Sequence, residues 1–329
     1  MAFREAEHVS LPVPNGWYAV AFSKDLIKGA VQPIHYFGED MVLFRTRSGE
    51  ARVLDAFCPH LGAHIGHGGR VIGETVRCPF HGWQYDGENG SCVKIPYCDT
   101  IPKGAKVGVW HTQEKNEMIF VWYHAEKKPP LWDFPQLPEL GDEEWSEPKI
   151  FELSVHAHVQ DMHENNNDPV HFQFVHNMAG QEFPGEITYS DDGRHYRMTN
   201  QQTMDTAIGS FETSLVRDSW GIGMSAVRLE GIPEAGMLLY SSTTPIDLDP
   251  AHTISRWVLS ASNNMIDHAG DDFLHRLVQG VEQDQPIWAN KVHRAKPLLC
   301  KGDKYIAEYR RWVKQFYTDP APLRAAGEN

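Results

Sequence analysis

The chain has 329 residues, 41% of them hydrophobic and 11% aromatic, with a net charge of −14 when histidine is neutral. That length allows about two ordinary domains with real cores, and the composition excludes a disordered or fibrous chain. The acidic balance, without any basic run, argues against nucleic acid or an anionic membrane surface as partner. No apolar run of about 18 residues and no leader pattern stands out, so the sequence predicts a cytoplasmic protein with no membrane span.

Residues 16–124 read as short β-rich runs at 17–22, 41–45, 53–56, 76–78, 106–110 and 118–122. Turn chemistry separates them, as at Gly38-Glu39-Asp40, Ser48-Gly49-Glu50 and Gly87-Glu88-Asn89-Gly90. The expectation is an all-β domain. Residues 127–145 hold four prolines and many charges, which predicts a linker or a strap. Beyond it, 158–177 reads as helical, 197–202, 224–230, 237–244 and 253–262 as strands, and 270–292 and 304–317 as helices. The fold class is therefore α+β, with boundaries at 1–125, 126–149 (linker) and 150–329.

Five cysteines (Cys58, Cys78, Cys92, Cys98 and Cys300) are too scattered for a disulfide framework, whereas 18 histidines invite metal. Phe57-Cys58-Pro59-His60-Leu61-Gly62 and Cys78-Pro79-Phe80-His81-Gly82-Trp83 each offer one thiolate and one imidazole. That set suits a two-iron cluster with one iron on two sulfurs and the other on two nitrogens. A structural zinc site takes the same residue types, but zinc ribbons usually pair Cys with Cys on one knuckle, and here each knuckle is mixed. Nearby His64 and His67 could by themselves be taken for further ligands, and Cys92 and Cys98 read as small buried or half-buried residues.

His171 and His176 are spaced to share one side of a helix only if the helix loosens there. Alone they fit either a polar helix surface or two legs of a two-His, one-carboxylate iron site. Carboxylates available as the third leg lie on the later helical stretch: Asp271, Asp272, Glu282 and Asp284.

Taken in order, the two Cys/His knuckles and the run Glu164-Asn165-x-x-Asp168-x-x-His171-x4-His176 resemble the terminal oxygenase subunit of Rieske non-haem iron oxygenases, over 16–317. The resemblance implies a Rieske domain followed by a helix-grip-like catalytic domain with an antiparallel sheet and C-terminal helices. It implies that Cys58, His60, Cys78 and His81 hold a [2Fe–2S] cluster, and that His171, His176 and Asp284 hold Fe(II). Asp168 is expected to link His81 of a neighbouring chain to His171, which implies a homotrimer or hexamer. Electrons are expected from NAD(P)H through a separate reductase or ferredoxin, since no dinucleotide fingerprint is present.

Further matches, at Gly16-Trp17-Tyr18, Glu282-Gln283-Asp284-x-x-Ile287-Trp288, Pro297-Leu298-Leu299-Cys300 and Arg310-Arg311-Trp312, resemble steroid 9α-hydroxylase oxygenases and cholesterol 7-desaturases. The implied substrate is an apolar polycycle, a sterol or steroid, oxidised with O₂ by hydroxylation or desaturation. A smaller aromatic substrate is the alternative within the class. A Rieske electron carrier with a non-catalytic binding domain, or a zinc-stabilised interaction protein, is the alternative outside it. Phe172, Phe174, Met178, Phe183, Trp220, Met224 and Met237 are candidates for an apolar lining, though each taken singly reads first as ordinary core.

Overall fold

The computed structural model describes residues 11–177, 185–206, 209–247, 251–270 and 272–318. Met178, Phe183 and Asp271, named above, lie outside these described residues. Two compact units emerge. One comprises Trp17–Tyr123 and Pro129–Leu140, and the other runs from Gly141 onward with short pieces before Trp17 and at His124–Lys128.

The first unit is all β, as the turn-punctuated sequence requires. Its strands are β1 (Gly16–Phe22), β2 (Val31–Tyr36), β3 (Glu39–Arg45), β4 (Ala51–Asp55), β5 (Arg70–Ile72), β6 (Thr75–Arg77), β7 (Gln84–Asp86), β8 (Cys92–Lys94), β9 (Val109–Trp110), β10 (Thr112–Lys115) and β11 (Met118–Tyr123). They form sheets ordered β1-β11-β10, β2-β3-β4-β9 and β5-β6-β7-β8. β2 escaped the sequence reading because Pro33 lies within it and its residues are mostly half-exposed; it is an edge strand, where a missing N–H is tolerated. β5, β7 and β8 have three residues each, too few for alternation to register, whereas the equally short β6 is the run read at 76–78, shifted by one residue. The proline-rich segment packs as a strap within this unit, burying Trp132, Phe134 and Leu137. The Trp17 indole N–H donates to the Trp132 carbonyl at 2.8 Å, and Trp132 meets Trp122 edge-on at 4.5 Å.

The second unit is a seven-stranded antiparallel sheet with helices. Its strands are β12 (Lys149–Val155), β13 (Gly185–Tyr189), β14 (His195–Thr206), β15 (Gly209–Trp220), β16 (Met224–Ile232), β17 (Ala235–Asp247) and β18 (His252–Ala261). Their order, β12-β18-β17-β16-β15-β14-β13, is a meander from β13 to β18 with β12 added at the far edge. β12 and β13 sit at the two edges with half-exposed patterns, and their weak alternation hid them.

The excursion between β12 and β13 carries α1 (Val159–His163), a 3₁₀ turn (Glu164–Asn167) and α2 (His171–Phe174). The continuous helix expected over 158–177 is thus broken in the middle. Asp168 precedes Pro169, which disfavours helical geometry, and it adopts φ −116°, ψ 83°. After β18 come α3 (Asn263–Ala269), α4 (Phe273–Asn290) and α5 (Lys304–Trp312). Ser262 caps α3 by accepting the Met265 N–H at 3.2 Å, and Gly270, at φ 86°, ends it. α4 turns Val278, Val281, Asp284 and Trp288 inward, a spacing of about one helical face on which a carboxylate is out of place unless it has work to do. No helix among the described residues is long and apolar enough to cross a membrane.

Candidate metal centres

In the first unit, the two Cys/His loops share one hydrogen-bond frame. The Cys58 N–H donates to the Ala63 carbonyl and the Gly62 N–H to the Cys58 carbonyl, both at 2.9 Å; the Cys78 N–H donates to Trp83 at 2.8 Å and the Gly82 N–H to Cys78 at 3.2 Å. The offsets are identical, and only the histidine moves by one position within the frame. Each frame closes on a left-handed glycine, Gly62 at φ 75° and Gly82 at φ 76°. A Cβ at Gly82 would also stand 2.9 Å from the Pro96 ring.

These loops bury both thiols, each 2% exposed, and leave His60 and His81 half-exposed. The Cys78 thiol lies against that of Cys58, and burial pushes its pKa up. The two imidazoles are 4.7 Å apart, edge to face, with His60 stacked on Trp83 at 4.6 Å. Two sulfurs inside and two nitrogens at the rim, on facing loops, match the donor chemistry of a mixed Cys/His two-iron cluster. Tyr85 was not foreseen: its fully buried hydroxyl lies 3.0 Å from Cys58 Sγ. Its signal in the sequence was only a strand aromatic two positions beyond Trp83.

His64 and His67 stay with each other, rings 4.5 Å apart, and His64 Nδ1 accepts the Gly66 N–H. Cys92 is buried, but Cys98 is exposed, correcting the expectation of burial there. It sits past the short β8 in a loop, its thiol directed at the Thr100 carbonyl.

In the second unit, the break at Asp168-Pro169 and the early end of α2 set the histidines. His171 opens α2 and His176 follows its last turn, just before Asn177 at φ 55°, so the loosening the spacing demanded is present. Their rings come to 5.2 Å. Asp284 arrives from α4: its Oδ1 lies 3.9 Å from His171 Nε2 and its Oδ2 lies 3.5 Å from His176 Nε2. The three donor atoms fall within 4.8 Å of one another, the one such grouping among the described residues. These separations are long for hydrogen bonds and natural for atoms sharing a cation. Asp284 is 7% exposed, and its Oδ1 is buried without a hydrogen-bond partner, an arrangement that is costly unless a cation completes it.

Both imidazoles are oriented for this. His171 Nδ1 meets the Asp168 carbonyl oxygen, and His176 Nδ1 meets Gln283 Oε1 at 2.9 Å. With the proton on each Nδ1, each Nε2 presents its lone pair to the shared point. The Asp284 carboxylate pushes the His176 pKa up, while burial pushes that of His171 down. In the sequence Gln283 stood out only as part of a motif, with no role of its own, because the adjacent carboxylate was the more obvious candidate ligand. The Asp168 carboxylate caps α2, Oδ1 accepting the N–H groups of Val170 and His171 at 3.1 and 3.3 Å. Of the other carboxylates, Glu282 is exposed and Asp272 precedes the first turn of α4.

The three donors sit on the wall of a cavity of about 1030 Å³ between the sheet and α1, α3 and α4, at the upper end of ligand pockets. Phe172, Met224 and Met237 line it. Phe174 does not, being 74% exposed. Trp220 is also absent from the lining and stacks on His195 instead.

The match to known families follows the same division. The Rieske [2Fe-2S] domain model covers residues 16–105, and the 3-ketosteroid 9alpha-hydroxylase C-terminal domain model covers residues 121–317. The chain belongs to the Rieske non-haem iron oxygenases, in the branch defined by that C-terminal domain. Among curated relatives, it is 34% identical to cholesterol 7-desaturase nvd 1 of Ciona intestinalis, over 94% of this chain and 70% of that one. It is 29% identical to the oxygenase component of 3-ketosteroid-9-alpha-monooxygenase of Rhodococcus rhodochrous, over 93% and 80%. The fold is that of dicamba monooxygenase bound to dicamba, at TM-score 0.73 and 17% identity over 92% of this chain and 97% of that one. The protein is thus an oxidoreductase whose cofactors are a Rieske cluster and a mononuclear iron, an oxygenase component that draws its electrons from a reductase.

Proposed function

We propose that the chain is the terminal oxygenase for a sterol or steroid, inserting a hydroxyl group or removing a pair of hydrogens. The observation that carries this reading is the His171, His176 and Asp284 grouping on the wall of a large cavity. The names of the relatives supply the substrate class.

Cys58, His60, Cys78 and His81 would hold the [2Fe–2S] cluster, and His171, His176 and Asp284 the iron, in a Rieske domain over 1–125 and a catalytic domain over 150–329. When bound, the two groups supply electron transfer and O₂ activation. The protein's part is placement. Asp168 and Gln283 fix the imidazole tautomers, Asp284 supplies the single negative charge, and the apolar wall orients the substrate and excludes water. The Asp168 Oδ2 takes no hydrogen bond among the described residues. It is the oxygen we assign to His81 of a neighbouring chain, which makes the working form a homotrimer or a pair of stacked trimers.

The test is product analysis with NADH and a surrogate reductase against sterols, steroids and small aromatics. An oxidised sterol or steroid is the expected product. Turnover confined to the aromatics would overturn the substrate class. An iron content of about two per chain rather than about three would reduce the protein to an electron carrier.

A further inference from the structure

The cavity wall changes character along the strands. Leu229 gives way to Ser225 on β16, Leu239 to Ser241 on β17, and Trp257 to Ser255 on β18. The hydroxyls are already occupied with one another: Ser225 and Ser241 meet at 3.0 Å, and Ser255 meets Thr243 at 2.9 Å. On β15 the same wall carries a full charge, Arg217, which lines the cavity while only 2% exposed.

Its neighbours are neutral. One guanidinium nitrogen donates to Asn200 Oδ1, and the guanidinium lies over the Phe172 ring at 5.1 Å. Among the described residues, no carboxylate forms an ion pair with it. The adjacent Asp218 is taken up elsewhere, by His195 and Arg197 at 2.7 Å each and by Arg228 at 3.0 Å. Burial accordingly pushes the Arg217 pKa down to about 10, which still leaves it charged at neutral pH. A buried cation without an anion is costly, and a ligand that brings the anion relieves it. The planar guanidinium suits a carboxylate, to which it donates two parallel hydrogen bonds.

We propose that Arg217 recognises a carboxylate carried by the substrate, so that the preferred ligand is a steroid acid, mostly hydrocarbon with one anionic group. This rests on reading the cavity as a steroid site and narrows the class within it.

The test is calorimetric titration of the iron-loaded protein with a steroid carboxylic acid and with its methyl ester, alongside a small aromatic acid and its methyl ester. In the wild type the steroid acid binds at least about tenfold more tightly than the ester. In Arg217→Gln the two affinities converge through loss on the acid side, and Arg217→Lys keeps part of the preference. Equal binding of acid and ester by the wild type overturns the proposal. So does a preference that survives Arg217→Gln, because the carboxylate would then be held by the iron. Equal losses for acid and ester in both variants would assign Arg217 to holding Phe172, and would overturn it too. If the acid preference appears with the aromatic pair while neither steroid binds, anion recognition by Arg217 stands and the steroid reading falls.

Discussion

Asp284 is the residue on which the proposed iron site turns, since it supplies the only carboxylate in the three-donor grouping. Asp284→Ala is expected to lower iron from about three to about two per chain while leaving the visible spectrum of the cluster intact. Unchanged iron would move the ligand role to another carboxylate. In the other unit, the Tyr85 hydroxyl at 3.0 Å from Cys58 Sγ is placed to donate to that proposed cluster ligand, which would favour the reduced, more negative state. Removing one hydrogen bond of about 1 kcal/mol in Tyr85→Phe should lower the potential by roughly 40 mV in a redox titration. An unshifted potential would mean that the hydroxyl points elsewhere. At this scale the sequence was legible where chemistry dictates residue type: two Cys/His knuckles, two histidines and a carboxylate in a buried helical stripe. Gln283, Tyr85 and Arg217 were not legible, because an amide, a phenol and a guanidinium are ordinary surface or core residues until the fold brings them to a sulfur, an imidazole or a cavity.

Elements that appeared in the sequence did so through pattern, and the element that matters most appeared wrongly. The 158–177 stretch reads as one helix because its apolar spacing is helical, yet Pro169 forces the break that lets α2 start at His171. The stretch ahead of the break depends on neutral histidine. His163, the last residue of α1, is 6% exposed and meets the Tyr309 hydroxyl at 3.1 Å; burial pushes its pKa down to about 4. The unfolded chain takes up that proton near pH 6.5 and the folded one resists until about 4. Stability is therefore full above pH 6.5 and falls as pH drops toward 4, by up to about 3 kcal/mol from this group. Chemical denaturation at pH 7 and pH 4.5 should show a gap smaller by about 2–3 kcal/mol in His163→Gln than in the wild type. Parallel losses in the two proteins would show that His163 is not the group responsible.

At the scale of the molecule, the proposed bridge through Asp168 predicts complementation. On the proposed ligand sets, a Cys78→Ala chain should keep the iron site without the cluster, and a His171→Ala chain the cluster without the iron. Each alone should be inactive, and mixed oligomers from co-expression should recover activity, since one chain's cluster would serve its neighbour's iron. Inactive mixed oligomers would remove the bridge across subunits. Asp168→Ala should retain both metal centres and lose turnover. The paired donors in the second unit also have a consequence for the chain as a polymer. His176 and the Gln283 beside Asp284 are 107 positions apart, so an ion held by the proposed ligands would clasp the two ends of a very long loop. A clasp of that span removes freedom from the unfolded chain rather than adding contacts to the folded one, by as much as about 5 kcal/mol for a rigid cross-link. Iron bound there would be a tether as well as a reagent: chelation should lower the melting temperature of this unit, even in a protein that never meets oxygen or substrate.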